Sequence, residues 1–494
     1  MSGSLGQQRR AVEQLLPILS TLQRLGDAFT GAGFELSLVG GPVRDALLGR
    51  LTADTDLDFA TSARPEEAKA LLASLSGKVW DVGIDFGTVG ATVDGRVCEI
   101  TTYRREEYEL DSRKPAVSFG ASLREDLSRR DFTVNALALR LPAMALVDEF
   151  GGLDDLAAGV LRTPRRAAES FIDDPLRMLR AARFRSQLGM QPTADVVAAM
   201  RSEADRLRIV SAERIRDELV KLLLGHQPRA GLDLLVDTGL AQIVLPELPL
   251  LRLERDEHHR HKDVYDHSLT VLEQAMDLEM GHSPASRPDL ILRLAALLHD
   301  IGKPKTRKFE GDGRVSFHHH EMVGARLTRK RLQALRFSNE VVDDVSRLVE
   351  LHLRFHGYAS GEWTDSAVRR YVRDAGDLLP RLHKLTRADC TTRNRQRAAR
   401  LQRDYDHLEH RIAELAEQEE INAIRPDLDG SAIMAILGIA PGPQVGEAYR
   451  FLMELRLDRG PLGPEEAERA LRDWWGSRGS ATENLDHRQE SERK

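Results

Sequence analysis

The sequence predicts an α+β protein in which a head of mixed strands and helices precedes a long all-helical body. Three observations predict it. Short β-rich runs alternate with helical stretches between residues 34 and 155. After about residue 156 the strand signal stops and apolar residues recur at helical spacing. Within the head, GATV-DG-RVCEIT joins two strand-like runs through Asp94-Gly95, a strong hairpin signal.

Residues 1–33 read as an amphipathic helix, with Leu15, Leu16, Ile18, Leu19 and Leu22 at helical spacing and Gly31 and Gly33 as stops. Strands are expected at 34–40, 54–60, 87–95, 96–103 and 144–150, which together define a head over 34–155. A helical neck follows over 156–255. Its stretches DPLRMLRAARFRSQLG and SAERIRDELVKLLLG end at Gly189 and Gly225. Histidines concentrate in 256–392, a charged helical body occupies 393–476, and the polar end, 477–494, reads as disordered.

The chain has 494 residues, enough for about three domains. With 41% hydrophobic and 30% charged residues it is globular in composition. No apolar run reaches the ~18 residues of a membrane span, and the N-terminus lacks a secretory pattern, so a cytoplasmic protein is expected. Two cysteines, Cys98 and Cys390, build neither a disulfide framework nor a four-thiolate zinc site. A net charge of −7 argues against a general nucleic-acid coat but allows a local basic groove.

The chemistry of the head is concentrated in LVGGPVRDALLGRLTADTDLDFA. Gly40 and Gly41 follow an apolar run and open a helix carrying Arg44; backbone amides of such a turn can approach a phosphate. Asp56 and Asp58 then stand two apart in a strand-like run, which puts both carboxylates on one face. Hard oxygens so placed can hold Mg²⁺, and two such ions suit in-line phosphoryl transfer. Glu99, on the later strand VCEITT, is a candidate third carboxylate.

These residues carry a resemblance. VGGPVRDALLG followed by DTDLDFA resembles the head of the class II CCA-adding tRNA nucleotidyltransferase and poly(A) polymerase family. RRDFTVNALA (129–138), DEFGGLDDL (148–156), DDPLRMLRAARF (173–184) and SAERIRDELVKLL (211–223) match further family motifs in order. The resemblance implies a polymerase-β-like palm, with Arg130, Asp131 and Asn135 near the ribose and Asp174 and Arg177 choosing the base. Asp173 stands where the family usually has Glu. A long charged segment over 101–132, with Tyr108, Asp111, Arg113 and Pro115, looks like the loop that full CCA-adding members use to switch from C to A.

Asp174, Arg177, Arg180 and Arg183 recur every three residues, on a slowly rotating helix face that leaves Met178, Leu179 and Ala182 to the core. An Asp accepts from a base amino group and an Arg donates to a ring nitrogen or carbonyl. Arg180 and Arg183 are expected to reach the triphosphate. Arg162, Arg165, Arg166 and Arg185 extend a basic track suited to an RNA backbone.

Farther on, His267, the pair His299-Asp300, His320, His352 and Asp389 follow the H…HD…H…H…D order. This resembles the HD superfamily of metal-dependent phosphohydrolases. His267, His299, Asp300 and Asp389 are expected around one ion, with His320 and His352 able to hold a second. Imidazole plus carboxylate suits a divalent transition metal, with Mg²⁺ as the alternative. Lys303 could contact phosphate, and His318 and His319 read as loop residues. PGPQVGEAYRFL (441–452) resembles the family's tail element.

Together these observations predict a template-independent nucleotidyltransferase that adds C, C and A to tRNA 3′ ends from CTP and ATP, with Mg²⁺ in the head and a hydrolytic HD domain. The competing readings are a poly(A) polymerase and an HD phosphohydrolase whose head only binds RNA.

Overall fold

The computed structural model describes residues 11, 13–52, 54–76, 78–83, 87–107, 116–119, 122–253, 263–309, 311, 315–355, 363–391, 394–419 and 425–491. The chain forms two compact units, residues 1–249 with 334–337, and residues 250–333 with 338–494.

The first unit is built on a seven-stranded mixed sheet. Its strands are β1 (Leu36–Val39), β2 (Leu57–Thr61), β3 (Val79–Gly83), β4 (Thr88–Val93), β5 (Arg96–Thr102), β8 (Leu137–Leu141) and β9 (Ala145–Asp148). They lie in the order β3-β4-β5-β2-β1-β8-β9. A separate hairpin, β6 (Arg104–Glu107) with β7 (Ala116–Phe119), stands apart from them. Within the sheet only β2 and β5 pair in parallel; the other neighbours are antiparallel. The expected hairpin is present: Asp94 and Gly95 both take positive φ, 51° and 80°, as a two-residue turn between β4 and β5 requires. Strands β3, β6, β7 and β8 escape the sequence reading. The last begins at the end of the motif segment 129–138, although Leu137, Leu139 and Leu141 alternate along it.

The N-terminal amphipathic pattern forms the helix Leu19–Gly31, whose Leu22, Leu25 and Phe29 are fully buried. Truncating one of them to Ala would cost about 2–5 kcal/mol. Thr21 and Arg24 from its other side bond Asp94, tying the helix to the β4–β5 turn.

The helix expected over 174–184 is present but starts two residues later, leaving Asp174 outside it. One helix ends at Asp173 and the next begins at Leu176. Pro175 explains the break: it offers no N–H and drives the preceding residue out of the helical region. Asp174 is accordingly extended, at φ −140° and ψ 99°. The motif segment 211–223 forms the helix Ala212–Leu223 of the neck.

Among the described residues, the second unit is helical apart from one short hairpin, Lys308–Phe309 with Val315–Ser316. Its centre is formed by the helices Val264–Gly281, Leu290–Leu298, Asn339–Leu351 and Leu379–Ala388. Leu428, Ile433, Leu452 and Leu471 form a separate small core among the last three helices. The final helix runs from Pro464 to Ser491, so the disordered end expected from 477 is helical through 491. Its polar composition misleads, because nothing after Pro464 is a proline that would stop the helix. Among the described residues no helix is long and apolar enough to cross a membrane.

Candidate functional site: a carboxylate head and a histidine cage

Strand β2 alternates. Leu57 and Phe59 are buried, whereas Asp58 between them and the exposed Asp56 just before the strand occupy the alternate positions. Register sets Asp58 directly beside Glu99 on β5, while Leu57 and Phe59 face Cys98 and Ile100. Burial is the largest influence on Asp58. Arg130 and Arg180 oppose it, Glu99 and Asp56 add to it, and the carboxyl is pushed up to about 6. A buried carboxylate whose ionisation is resisted calls for a cation, and the all-oxygen set around it fits Mg²⁺.

The antiparallel pairing of β1 with β2 puts the Gly40-Gly41 turn at the same sheet end. Gly40 has φ 73° and ψ −129°, a conformation open to glycine alone, and there a Cβ would stand 2.7 Å from Arg130 Nη1. Gly40→Ala should therefore raise the KM for nucleotide by displacing Arg130, as well as destabilise the head by about 1–3 kcal/mol. Steady-state kinetics and thermal melting would check both.

Arg44 does not point freely into the site. It bonds Asp45 and donates to Asn135 Oδ1 at 2.7 Å. Asn135 in turn donates to Asp131 at 2.9 Å, and Arg180 donates to the other Asp131 oxygen at 2.6 Å. Burial would raise Asp131, but Arg180 and the Asn135 amide outweigh it and hold the carboxyl well below the usual carboxylate range. This buried chain of four side chains links the Gly41 helix to the Leu176–Leu188 helix. Phe184 sits at its hub, with the guanidiniums of Arg44, Arg180 and Arg183 at 5.1, 5.7 and 4.4 Å from the ring centre.

The base-reading candidates are placed differently from a simple helix face. Asp174 caps Leu176 and pairs with Arg214 at 3.4 Å. Arg177 is buried; it bonds Ser170 Oγ at 2.8 Å and the Arg129 carbonyl. Arg183 pairs with Glu218 of the neck helix at 3.1 Å, both side chains buried. Arg180 and Arg183 are thus both ion-paired within the protein, on Asp131 and Glu218. In the expected basic track Arg162 has Asp155 as a neighbour, Arg165 has Asp173 and the exposed Arg166 has Glu169. Spacing exposes the charges but not their partners: Phe184 and Glu218 fall inside the motifs 173–184 and 211–223 without being singled out, and Asp126 lies outside them. Tyr108, Asp111, Arg113 and Pro115 lie outside the described residues.

The histidines of the second unit converge. Two triads, His267–His299–Asp389 and Asp300–His320–His352, each bring one ligand atom per residue within 4.8 Å of the others. Every imidazole is oriented by its Nδ1: His299 on Ala296 O (2.8 Å), His320 on Phe317 O (2.8 Å), His352 on Val349 O (2.6 Å) and His267 on Thr391 Oγ1 (3.2 Å). That leaves each Nε2 turned inward, the atom that would ligate a metal. Nε2 of His352 is buried without a hydrogen-bond partner. Asp300 stands between the triads: Oδ2 faces His299 at 3.2 Å and Oδ1 faces His320 at 3.2 Å. Asp300 Oδ2 also lies 3.5 Å from His267 Nε2, so the four residues expected around one ion, His267, His299, Asp300 and Asp389, do converge, and Asp300 in addition stands beside His320 and His352.

This donor set fits divalent cations. Burial would depress His299, yet Asp300 and Asp389 hold it up at about 9, so the carboxylates demand a positive charge there. Burial and the neighbouring His299 push His352 down to about 3, which keeps it neutral and ready to ligate. Gly302 permits the close approach, since a Cβ there would meet His320 O at 2.1 Å. Lys303 reaches Asp300 at 2.9 Å, so its ammonium belongs to the centre. His318 and His319 are exposed loop residues.

Comparison with known proteins agrees with this geometry. The family model for the poly A polymerase head domain matches residues 36–162, that for a probable RNA and SrmB-binding site of polymerase A matches 189–251, and the HD domain matches 264–394. An A-adding tRNA nucleotidyltransferase of Deinococcus radiodurans is 35% identical over 89% of this chain and 95% of its own. The chain belongs to the tRNA nucleotidyltransferase family. A CC-adding tRNA nucleotidyltransferase of Thermus thermophilus is 33% identical over 91% of this chain and 96% of its own. A CCA-adding enzyme of Levilactobacillus brevis is 43% identical, but over only 47% of this chain and 55% of its own. The structure of the Bacillus stearothermophilus CCA-adding enzyme in complex with CTP superposes with a TM-score of 0.66 at 25% identity, covering 95% of this chain and 99% of the other.

Proposed function

We propose that this tRNA nucleotidyltransferase extends tRNA 3′ ends with C, C and A, using CTP and ATP and releasing pyrophosphate. One observation carries the reading: Asp58 and Glu99 stand side by side, next to Asp56, at the sheet end that also bears the Gly40-Gly41 turn. Asp56 and Asp58 would hold Mg²⁺, with Glu99 as the supporting carboxylate. Magnesium there supplies charge neutralisation and a lowered pKa for the attacking hydroxyl.

The chain's own residues do the rest. Amides of the Gly40-Gly41 turn and Arg130 bind the triphosphate, close to Asp58, so that the 3′ hydroxyl of the RNA meets the α-phosphorus in line. Arg44, Asn135 and Asp131 fix the sugar side of the pocket. Asp174 and Arg177 present the acceptor and donor that a cytosine or adenine edge offers to match, each good pair discriminating by about 1–3 kcal/mol. Arg180 and Arg183 act by locking this reader to Asp131 and Glu218.

The HD residues would hold one or two divalent cations, with His267, His299 and Asp389 on one, His320 and His352 on the other, and Asp300 between. An ion held there would supply a bound water of lowered pKa for attack on a phosphoester, and Lys303, beside Asp300, would meet the phosphate charge. A cytoplasmic location and the division into head (34–155), neck (156–255), HD domain (256–392) and C-terminal body (393–476) complete the proposal.

A second reading is favoured by a specific observation. The two relatives above that align over about nine-tenths of both chains are an A-adding and a CC-adding tRNA nucleotidyltransferase. A partial adder is therefore the alternative to a complete CCA-adding enzyme. Three tRNAs decide between them: one lacking the whole CCA end, one lacking only the final A, and one complete. Each is incubated with CTP, ATP or both, and the products are sequenced. Three additions on the shortest tRNA by this chain alone support full CCA addition. Arrest after two, or extension only of the tRNA that lacks the final A, overturns it.

A further inference from the structure

Asp126 takes no part in the sequence reading, and the proposed mechanism does not use it. It lies on the short helix Leu123–Ser128 and is only 1% exposed. A buried carboxylate is expensive unless its oxygens are satisfied, and both are satisfied by consecutive arginines. Oδ1 accepts from Arg129 Nη2 at 3.0 Å and Nε at 3.3 Å, while Oδ2 accepts from Arg130 Nη2 at 3.4 Å.

Each arginine leads to a different part of the nucleotide site. Arg130 reaches back over the Gly40 turn, where its Nη1 fills the space a Cβ would take. Its charge is also among the groups felt by Asp58. Arg129 offers its backbone carbonyl to the guanidinium of Arg177. One carboxylate therefore fixes both the arginine at the phosphate turn and the strand of backbone that anchors the base reader.

We propose that Asp126 is a positioning residue for nucleotide selection, coupling the phosphate grip of Arg130 to the base-reading Arg177. It touches neither substrate nor metal and acts through the two arginines. With the carboxylate removed, Arg130 is free to swing away from the Gly40 turn. The Arg129 carbonyl also loses its fixed aim at Arg177. Affinity for every nucleotide and discrimination between bases then fall together, whereas loss of an arginine that served the phosphates alone would weaken all nucleotides equally. The inference rests on the reading of Arg130 as a nucleotide ligand, and the test separates the two.

The experiment compares Asp126→Ala, Asp126→Asn, Arg130→Ala and the double variant Asp126→Ala/Arg130→Ala in the full-length protein. The readouts are KM and kcat for CTP, the ratio of kcat/KM for CTP over UTP, and melting temperature. Leu22→Ala, a buried position on the N-terminal helix, calibrates what destabilisation alone does. Asp126→Ala is expected to raise KM for CTP about tenfold with a smaller change in kcat, and to erode the CTP/UTP ratio, the kinetic equivalent of a little over 1 kcal/mol. Asp126→Asn, which keeps acceptor oxygen in place, should recover part of both. In the double variant the KM effects should be strongly non-additive, because Asp126 has no route to the phosphates without Arg130.

If Asp126→Ala lowers the melting temperature as Leu22→Ala does, but leaves KM and the CTP/UTP ratio intact, the proposal is overturned. Additive KM effects overturn it equally. Should Asp126→Ala fail to fold, Asp126→Asn carries the same comparison. If Arg130→Ala itself leaves KM unchanged, the assignment of Arg130 to the nucleotide falls first, and with it this coupling.

Discussion

Asp58→Asn should reduce nucleotide incorporation by about a thousandfold or more, some 4 kcal/mol of transition-state stabilisation, while making the metal-free head more stable at pH 8. The two effects have one origin. Asp58 is ionised at pH 8 only against burial and against Glu99 and Asp56, its carboxyl being pushed up to about 6. A carboxyl whose folded pKa is raised contributes its stability below the ordinary value of 3.8, and that contribution is lost as pH rises through about 6. Above that pH the charge is a cost of about 1–3 kcal/mol in the absence of metal, and an uncharged amide of the same shape removes it. Magnesium removes the same cost differently, by pairing the carboxylate. Wild-type protein should therefore show a larger rise in melting temperature on addition of Mg²⁺ at pH 8 than at pH 5, and the Asp58→Asn variant should show much less of that shift. An Asp58→Asn variant that keeps full incorporation would refute the assignment of the head carboxylates.

The second large effect concerns the other unit. Asp300→Ala should abolish metal binding in both triads at once and leave CTP and ATP incorporation intact. Asp300 is the residue whose two oxygens face His299 and His320 separately, so its loss disarms both sides. Even a partner that merely orients a ligand is typically worth about 10–100-fold in metal affinity, and Asp300 stands nearer than that. Elemental analysis of the purified protein and single-nucleotide incorporation, measured on the same preparation, check the prediction. Retained metal in Asp300→Ala would contradict the bridging placement.

Proton linkage gives an independent sign at this centre. In metal-free protein His299 is held at about 9, above its ordinary 6.5, so its contribution to stability is complete below 6.5 and is lost as pH rises through 9. A metal must displace that proton. Apparent metal affinity should consequently rise between pH 6.5 and 9, with proton release on binding detectable by calorimetry in buffers of different ionisation enthalpy.

Local signals in the chain are enough to place the chemistry. The Gly40-Gly41 turn, the alternate Asp56 and Asp58, and the ordered histidines are spaced by the periods of turn, strand and helix, and those periods are written into consecutive residues. Where local signals compete with a stronger local rule, the rule wins: Pro175 delays the start of the expected helix and turns Asp174 into an extended residue.

What consecutive residues do not state is who answers whom across the fold. Spacing marks Arg44, Arg177, Arg180 and Arg183 as chemistry, yet only tertiary packing assigns Arg44 to Asn135, Arg180 to Asp131 and Arg183 to Glu218. The same holds for Asp300, whose position between two triads depends on helices far apart in the chain meeting around it. Sequence alone determined which side chains carry charge, metal-ligand chemistry and core-forming faces. Tertiary structure alone decided which charges stand free and which are satisfied, because desolvation and pairing act over a few ångströms of space, not over a few residues of chain.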